Sequence, residues 1–167
     1  MAAVGITAIP LAGKKPRIKI GDVANEVEIQ CAANQVDATP EQDENSYETY
    51  CGTFTFYKPE VWTITVTAYQ SFGTGGLWNL VRPMVGTTVP FELLPDADAV
   101  VSDDNVLMTG TVLVKAFPFL TGPAGEAHEL DIELAVQGIP EFLTTPPAAA
   151  AARVAEGETE GEETEVR

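Results

Sequence analysis

Val61-Trp-Thr-Ile-Thr-Val-Thr-Ala-Tyr-Gln70 alternates without interruption. Trp62, Ile64, Val66 and Ala68 fall on one side and Thr63, Thr65, Thr67 and Tyr69 on the other, the period-two pattern of a strand with one buried face. A lone strand cannot cover that face, so the chain must supply partner strands and a second layer. Five or six further segments of similar length are available, and the expected fold is mainly β.

Upstream, Pro16-Arg-Ile-Lys-Ile20 reads as a short strand with Ile18 and Ile20 inward. From Asn25 to Gln35, Val27, Ile29, Cys31 and Ala33 alternate with Glu26, Glu28, Gln30 and Ala32, predicting a second strand. The pattern then stops. Asp37, Pro40, Asp43 and Asn45 mark Val36 to Ser46 as a polar surface connection, longer than an ordinary hairpin loop. Tyr47 to Tyr57 returns to strand-like residues, and Lys58-Pro59-Glu60 is expected to turn 50–57 into 61–70 as a hairpin.

Downstream, the glycine-rich stretch Ser71 to Gly76 breaks the strand, and Leu77, Leu80, Val81 and Met84 recur at helical spacing. Pro83 and Gly86 limit that helix to residues near 76–85, lying on the sheet. Thr87 to Leu94 follows as a strand in which Pro90 argues for an edge or a bulge. Pro95 to Asn105 is a second long connection. Val106 to Leu120 is apolar on both faces, Val112, Val114 and Ala116 against Leu113, Phe117 and Phe119, which suits a strand in mid-core. Leu130, Ile132, Leu134 and Val136 alternate with Glu129, Asp131, Glu133 and Ala135, giving a last strand with a wet acidic face that Gly138 and Pro140 end. Trp62, Ile64, Val66, Leu77, Trp78, Leu80 and Val81 are the expected core anchors.

The 167 residues, 45% hydrophobic, fit one domain plus a tail. Residues 1–144 read as the β domain, beginning with an extended arm. Residues 145–167 are rich in Ala and Glu with almost nothing apolar to bury, so a flexible, disordered acidic tail is expected. No run of 18 apolar residues exists to span a membrane, and the first residues lack a basic secretory start, so the reading is a protein that stays in the cell that made it. Cys31 and Cys51 read as buried, reduced thiols in strands.

A formal charge of −16 makes attraction to nucleic-acid phosphate or anionic lipid unfavourable over most of the surface. The charge is unevenly placed. Lys14, Lys15, Arg17 and Lys19 crowd the N-terminal stretch, whereas Glu41, Asp43, Glu44 and Glu48, with Tyr47 among them, mark the long polar connection. These two sets are the candidate inter-subunit contacts.

Catalytic and metal readings are weak. The aspartates of 95–105 fail the spacing of a calcium loop and read as turn formers. His128 lies near Glu126 and Glu129, but no Ser, Cys or second His is placed to make it a general base. Gly73-Thr-Gly-Gly76 before a helix lacks the Lys-Ser/Thr of a phosphate-binding loop. Glu26/Glu28 and Asp131/Glu133 are carboxylate pairs that a solvated or lumen-facing strand explains as well as a hydrolytic site does. No cofactor, metal or catalytic residue is expected.

Residues from about Val4 to Leu143 resemble the major tail proteins, or tail tube subunits, of long, flexible-tailed bacteriophages. The likeness is carried by Glu26-Val-Glu-Ile-Gln-Cys-Ala-Ala-Asn-Gln-Val36, Trp62-Thr-Ile-Thr-Val-Thr-Ala-Tyr-Gln-Ser-Phe72, Gly76-Leu-Trp-Asn-Leu80 with Pro83, and Val114-Lys-Ala-Phe-Pro-Phe119. It implies a β-sandwich or half-barrel with one short flanking helix. It also implies hexameric rings stacked axially into a tube, with contacts between rings made by extended arms and a long early loop. The partners implied are the chain itself, other tail proteins and a tape measure protein, with DNA passing through without sequence-specific binding and no membrane. The place implied is a virion tail assembled in the host cytoplasm. Two other classes compete: a ligand-binding β-sandwich such as a capsid decoration or adhesin domain, with Tyr47, Tyr50 and Tyr57 as its aromatic candidates, and a small hydrolase using paired carboxylates.

Overall fold

The computed structural model describes residues 15–22, 24–29 and 32–147. The expected N-terminal arm, Lys14, Cys31 and the tail from residue 148 therefore lie outside the described residues. The remaining chain forms strands Arg17–Ile20 (β1), Val27–Glu28 (β2), Ala33–Glu41 (β3), Glu44–Thr49 (β4), Gly52–Tyr57 (β5), Val61–Tyr69 (β6), Thr88–Leu94 (β7), Leu107–Val114 (β8), Glu129–Val136 (β9) and Glu141–Leu143 (β10), with one helix, Leu77–Val81 (α1). The fold is mainly β, as the alternation predicts.

Strands β2-β1-β7-β8-β9-β6-β3 form one antiparallel sheet in that order, and β10 also pairs with β8. Every inward position of β6 is covered: Ile64, Val66 and Ala68 are buried, with Trp62 half-buried at the end of the row. The same alternation buries Ile18 and Ile20 of β1 and Leu130, Ile132, Leu134 and Val136 of β9. Side chains from both ends of the sheet join one apolar cluster, so the sheet curls around its own core. The curl is eased where β8 meets β9, because only Val112–Val114 and Leu134–Val136 pair across that seam. β9 then bends at Gly138, whose φ of 81° suits glycine, and resumes as β10 along the first half of β8.

The helix supplies the second layer with Leu77 and Val81, both buried, and Met84 half-buried. It is shorter than expected: Pro83 tightens the chain into a 3-10 turn over Arg82–Met84. Leu80, expected among the core anchors, is 39% exposed, and Trp78 is half-buried. Five residues make barely more than one turn, too short for every position of the helical stripe to face the sheet.

Several boundaries differ from the sequence reading. The strand expected over 25–35 is cut by a turn, in which the Ala32 and Ala33 N–H groups both donate to Ile29 O, leaving the two-residue β2. The expected polar connection 36–46 is instead strand: β3 pairs with β6 along its whole length, and β4 pairs with β5. The 50–57/61–70 hairpin is therefore replaced by pairing of β6 with β3. β7 lies between β1 and β8 rather than at an edge. Pro90 is tolerated because its carbonyl accepts from Gly21 N–H at 2.9 Å. Its nitrogen faces the same way, just past the end of β1, so proline forgoes at most the one reciprocal bond back to Gly21. β8 ends at Val114, before the Lys115–Leu120 segment that was expected to continue it.

The 95–105 connection is tied by Asn105, which is buried. Its Oδ1 accepts from Asp96 N–H at 3.0 Å, and its Nδ2 donates to the carbonyls of Asp96, Ala99 and Val100.

Candidate assembly surfaces

The β3–β6 pair does not end at the sheet. Lys58 N–H donates to Asp43 O at 2.8 Å, Lys58 Nζ meets Asp43 Oδ2 at 3.1 Å, and Gln42 Nε2 donates to Lys58 O at 3.0 Å. These bonds carry the two strands across a break into β4 and β5, so 33–69 is one long ribbon that leaves the sheet. Six residues a side project about 20 Å. The tip turns at Tyr50 and Cys51. Thr49 Oγ1 donates to Gly52 O at 2.9 Å and accepts from Cys51 N–H at 3.3 Å, while Gly52 takes a φ of 135°. Cys51 is free and exposed in this turn, not buried in a strand as expected.

Register gives the ribbon two unlike faces. Tyr47 pairs with Phe54 and Asn45 with Phe56, so the three aromatic rings share one face, with Tyr47 and Phe56 edge to face at 6.1 Å between centroids. Glu44, Ser46, Glu48, Thr53, Thr55 and Tyr57 share the other. Every residue of both strands is exposed, Phe54 at 53% and Phe56 at 60%. A two-stranded hairpin with nothing on its apolar face is marginal by itself.

A second aromatic surface lies at the opposite end of β6. The chain leaves Tyr69 toward Phe72 and α1, and the segment after β8, which passes Glu133 at Lys115 and meets Gln70 at Phe119, brings Phe117 and Phe119 to the same place. Trp78 is the hub, with ring centroids 4.9 Å from Phe119, 5.4 Å from Phe117 and 6.4 Å from Phe72. Arg82 stands over the Trp78 ring at 5.6 Å, and Phe72, Phe119 and Leu120 remain more than half exposed.

The third surface is the outward face of β3, β6 and β9. It carries Asp37, Glu41, Glu129, Asp131 and Glu133 around a row of threonines. Several of these carboxylates are held. Asn34 Nδ2 donates to Glu129 at 2.7 Å, Gln35 Nε2 to Asp37 at 2.7 Å, and Thr67 Oγ1 to Asp131 at 2.6 Å. Lys115, the cation adjoining this face, is paired with Glu133 at 2.7 Å.

The structure divides the candidate contact residues. Glu44, Tyr47 and Glu48 are on the ribbon, Asp43 is paired with Lys58 at its base, and Glu41 belongs to the acidic sheet face. Lys19 is half-buried in an ion pair with Glu26. Lys15 and Arg17 are at the end of β1 that faces Leu94, which register through β7, β8 and β9 places at the ribbon end of the sheet. The two charged sets therefore sit at the same end.

The chemical readings gain no support among the described residues. No group of three His, Cys, Asp or Glu is arranged to hold a metal. In the glycine turn, Leu77 N–H donates to Ser71 Oγ at 2.9 Å and Trp78 N–H to Ser71 O at 3.2 Å. With Gly76 N–H donating to Gly73 O as well, three successive N–H groups at the start of α1 are already taken. A Cβ at Gly76 would stand 2.7 Å from Ser71 O and Phe72 C, so that glycine is explained by close backbone packing. Nδ1 of His128 and Oε1 of Gln70 are buried without a hydrogen-bond partner.

Sequence reasoning missed the Phe72/Trp78/Phe119 surface because its parts are far apart in the chain. The only signal was the aromatic crowding of Phe117-Pro-Phe119, which reads equally as core.

No protein-family model and no curated protein matches the chain. Solved structures do. A chain of the virion of a native gene transfer agent particle matches with a TM-score of 0.58 at 12% identity, covering 80% of this chain and 99% of that one. The fold is one found in tails and tubes. A chain of the sheath-tube complex of an extracellular contractile injection system, in its extended state, matches with a TM-score of 0.59 at 12% identity, covering 82% and 93%. A chain of the anti-feeding prophage cap, which terminates that particle's tube, matches with a TM-score of 0.58 at 13% identity, covering 86% and 97%.

Proposed function

We propose that this chain is a structural subunit of a phage tail tube, which self-assembles into hexameric rings stacked as the conduit for DNA. The observation that carries this reading is the β4–β5 ribbon. Its aromatic face has no partner among the described residues, and its backbone projects away from the domain on a fold that tail and tube assemblies share. A surface of this kind is completed by another molecule.

The acidic face of β3, β6 and β9 is the wall we assign to the bore. Phosphate is repelled from such a face, and its adjoining cation is already paired, so DNA meets no site at which to bind and stall. A long, flexible phage tail is the setting we assign to such a tube. The virion tail is its location, assembled in the host cytoplasm, with other tail proteins and a tape measure protein as its neighbours.

The ligand-binding alternative needs Tyr47, Tyr50 and Tyr57 on one platform, but Tyr47 and Tyr57 lie on opposite faces of the ribbon. Negative-stain microscopy of the purified full chain tests the proposal. Tubes or six-fold rings are the expected result, and uniform monomers at every concentration and salt overturn it.

A further inference from the structure

We infer that the acidic segment 156–165 docks on Lys15 and Arg17 of its own chain, so that the tail serves as an internal counter-ion for the cations at the start of β1. The inference goes beyond the tube reading and does not depend on it, because both partners belong to one chain.

The cations are singled out by what the others already have. Among the described residues, Lys19, Lys58 and Lys115 are paired with Glu26, Asp43 and Glu133, and Arg82 is stacked on Trp78 at the other end of the sheet. Lys15 and Arg17 make no ion pair with any described residue. Lys15 is exposed and Arg17 half-buried, and Ala97 N–H donates to Lys15 O at 2.9 Å, which fixes the backbone of the pair at the rim of the sheet. An ammonium and a guanidinium two residues apart present several N–H donors suited to carboxylates.

The register brings the start of the tail to the same rim. Ile18 is opposite Leu93, Leu93 opposite Met108, and Met108 opposite Phe142. That row crosses three strand-to-strand spacings, about 14 Å. β1 and β10 run antiparallel across it, so Arg17, one residue before Ile18, and Leu143, one residue after Phe142, lie on the same side. The chain therefore leaves β10 toward the end that carries Lys15 and Arg17. From Leu143 to Glu156 is 13 residues, which at full extension span about 45 Å, ample for the crossing.

Charge completes the pairing. Residues 156–165 hold six glutamates and no cation. Covalent attachment makes their encounter with Lys15 and Arg17 intramolecular, so pairs that are weak one by one gain from a high effective concentration. The contact weakens as salt screens it.

Amine labelling of the unassembled full chain tests the contact. A full-length variant with Glu156, Glu158, Glu160, Glu162, Glu163 and Glu165 changed to Gln keeps the length of the tail and removes those charges. At low salt its Lys15 amine is expected to react with a neutral acetylating ester about twofold faster or more than in the parent, the difference closing at high salt. Lys115, held by Glu133, is the internal standard and reacts alike in both proteins. A carbodiimide applied to the parent is expected to join Lys15 to a glutamate of 156–165, and in a mixture of isotopically light and heavy chains each joined pair comes from one chain. Equal Lys15 rates in parent and variant overturn the inference, as do light–heavy pairs, which put the tail on another copy.

Discussion

Asn105→Ala should unfold the 95–105 connection at a cost that can be worked from its bonds. The Asn105 side chain is 4% exposed and reaches four backbone groups: it accepts from Asp96 N–H at 3.0 Å and donates to Asp96 O at 2.9 Å, Ala99 O at 3.0 Å and Val100 O at 3.3 Å. An amide has two N–H bonds, so the longest of the three donations is shared rather than full. Each well-made bond contributes about 0.5–1.5 kcal/mol net, and buried groups that lose Asn105 as partner add desolvation cost, so the total is about 2–4 kcal/mol. With a urea slope of about 2 kcal/mol per molar for a domain of this size, the unfolding midpoint drops by about 1–2 M. Asn105→Asp is the sharper variant. It keeps the acceptor for Asp96 N–H but turns the donor into a second acceptor facing three carbonyls, which favours the protonated acid in the folded state and raises its folded pKa. The folded state then binds more protons than the unfolded one, so this variant's stability falls as pH rises through the carboxylate range, about 4. Urea titrations at several pH values measure both effects. An alanine variant within about 0.5 kcal/mol of the parent, or an aspartate variant whose loss does not grow with pH, refutes the assignment of Asn105 as the tie of this connection.

Further outcomes follow from the same structure. Ile132→Ala, at a fully buried site, should cost about 2–5 kcal/mol in urea unfolding, whereas Thr65→Ala on the outward face of β6 should cost under about 0.5 kcal/mol. Gly21→Ala should destabilise by more than about 1 kcal/mol, because its φ is 106° and a Cβ would stand 2.5 Å from Asn25 O; calorimetry reads the drop in melting temperature. Reversing Asp131 and Glu133 to Lys should leave tubes intact but make them retain DNA in a gel-shift assay, with retention lost at high salt. Deleting residues 148–167 should leave the circular dichroism and melting of the domain unchanged, since their composition offers almost nothing to bury.

The parts of the fold that could be read in advance are those in which burial alternates. β6 and β9 each bury one side and wet the other, and their bounds emerge from residue type alone. β3 and the start of β4, and the pairing of β5, escape that logic for a physical reason. β4 and β5 are held by their backbone ladder and exposed on both faces, and β3 turns only the small or half-buried Ala33, Val36 and Ala38 to the core, so no run of large buried residues imposes a period of two on Asp37, Pro40 or Asn45. Turn-forming residues in a strand look like a loop until a partner is known. Leu80 fails in the opposite direction: the helical spacing is real, but a single turn has room for only two inward residues. For the site, the acids of the ribbon were visible as charge and its aromatics as strand formers. Their separation onto opposite faces depends on the Tyr47–Phe54 register, which no composition reveals.

Consider finally the hydrogen bonds that hold Glu129, Asp131 and Asp37 on the outer sheet face. A loose glutamate swings through several rotamers and gathers counterions wherever it points, so a wall of loose acids presents a shifting landscape to a moving polyanion. Carboxylates anchored to Asn34, Thr67 and Gln35 hold their charge at fixed spacing, which the tube proposed above would repeat around and along its bore. The potential along such a wall would have shallow, regular ripples and no deep wells, so a strand driven through the proposed tube would meet drag that is even from ring to ring. Travel time would then scale with the length of the tube rather than with the number of places to pause.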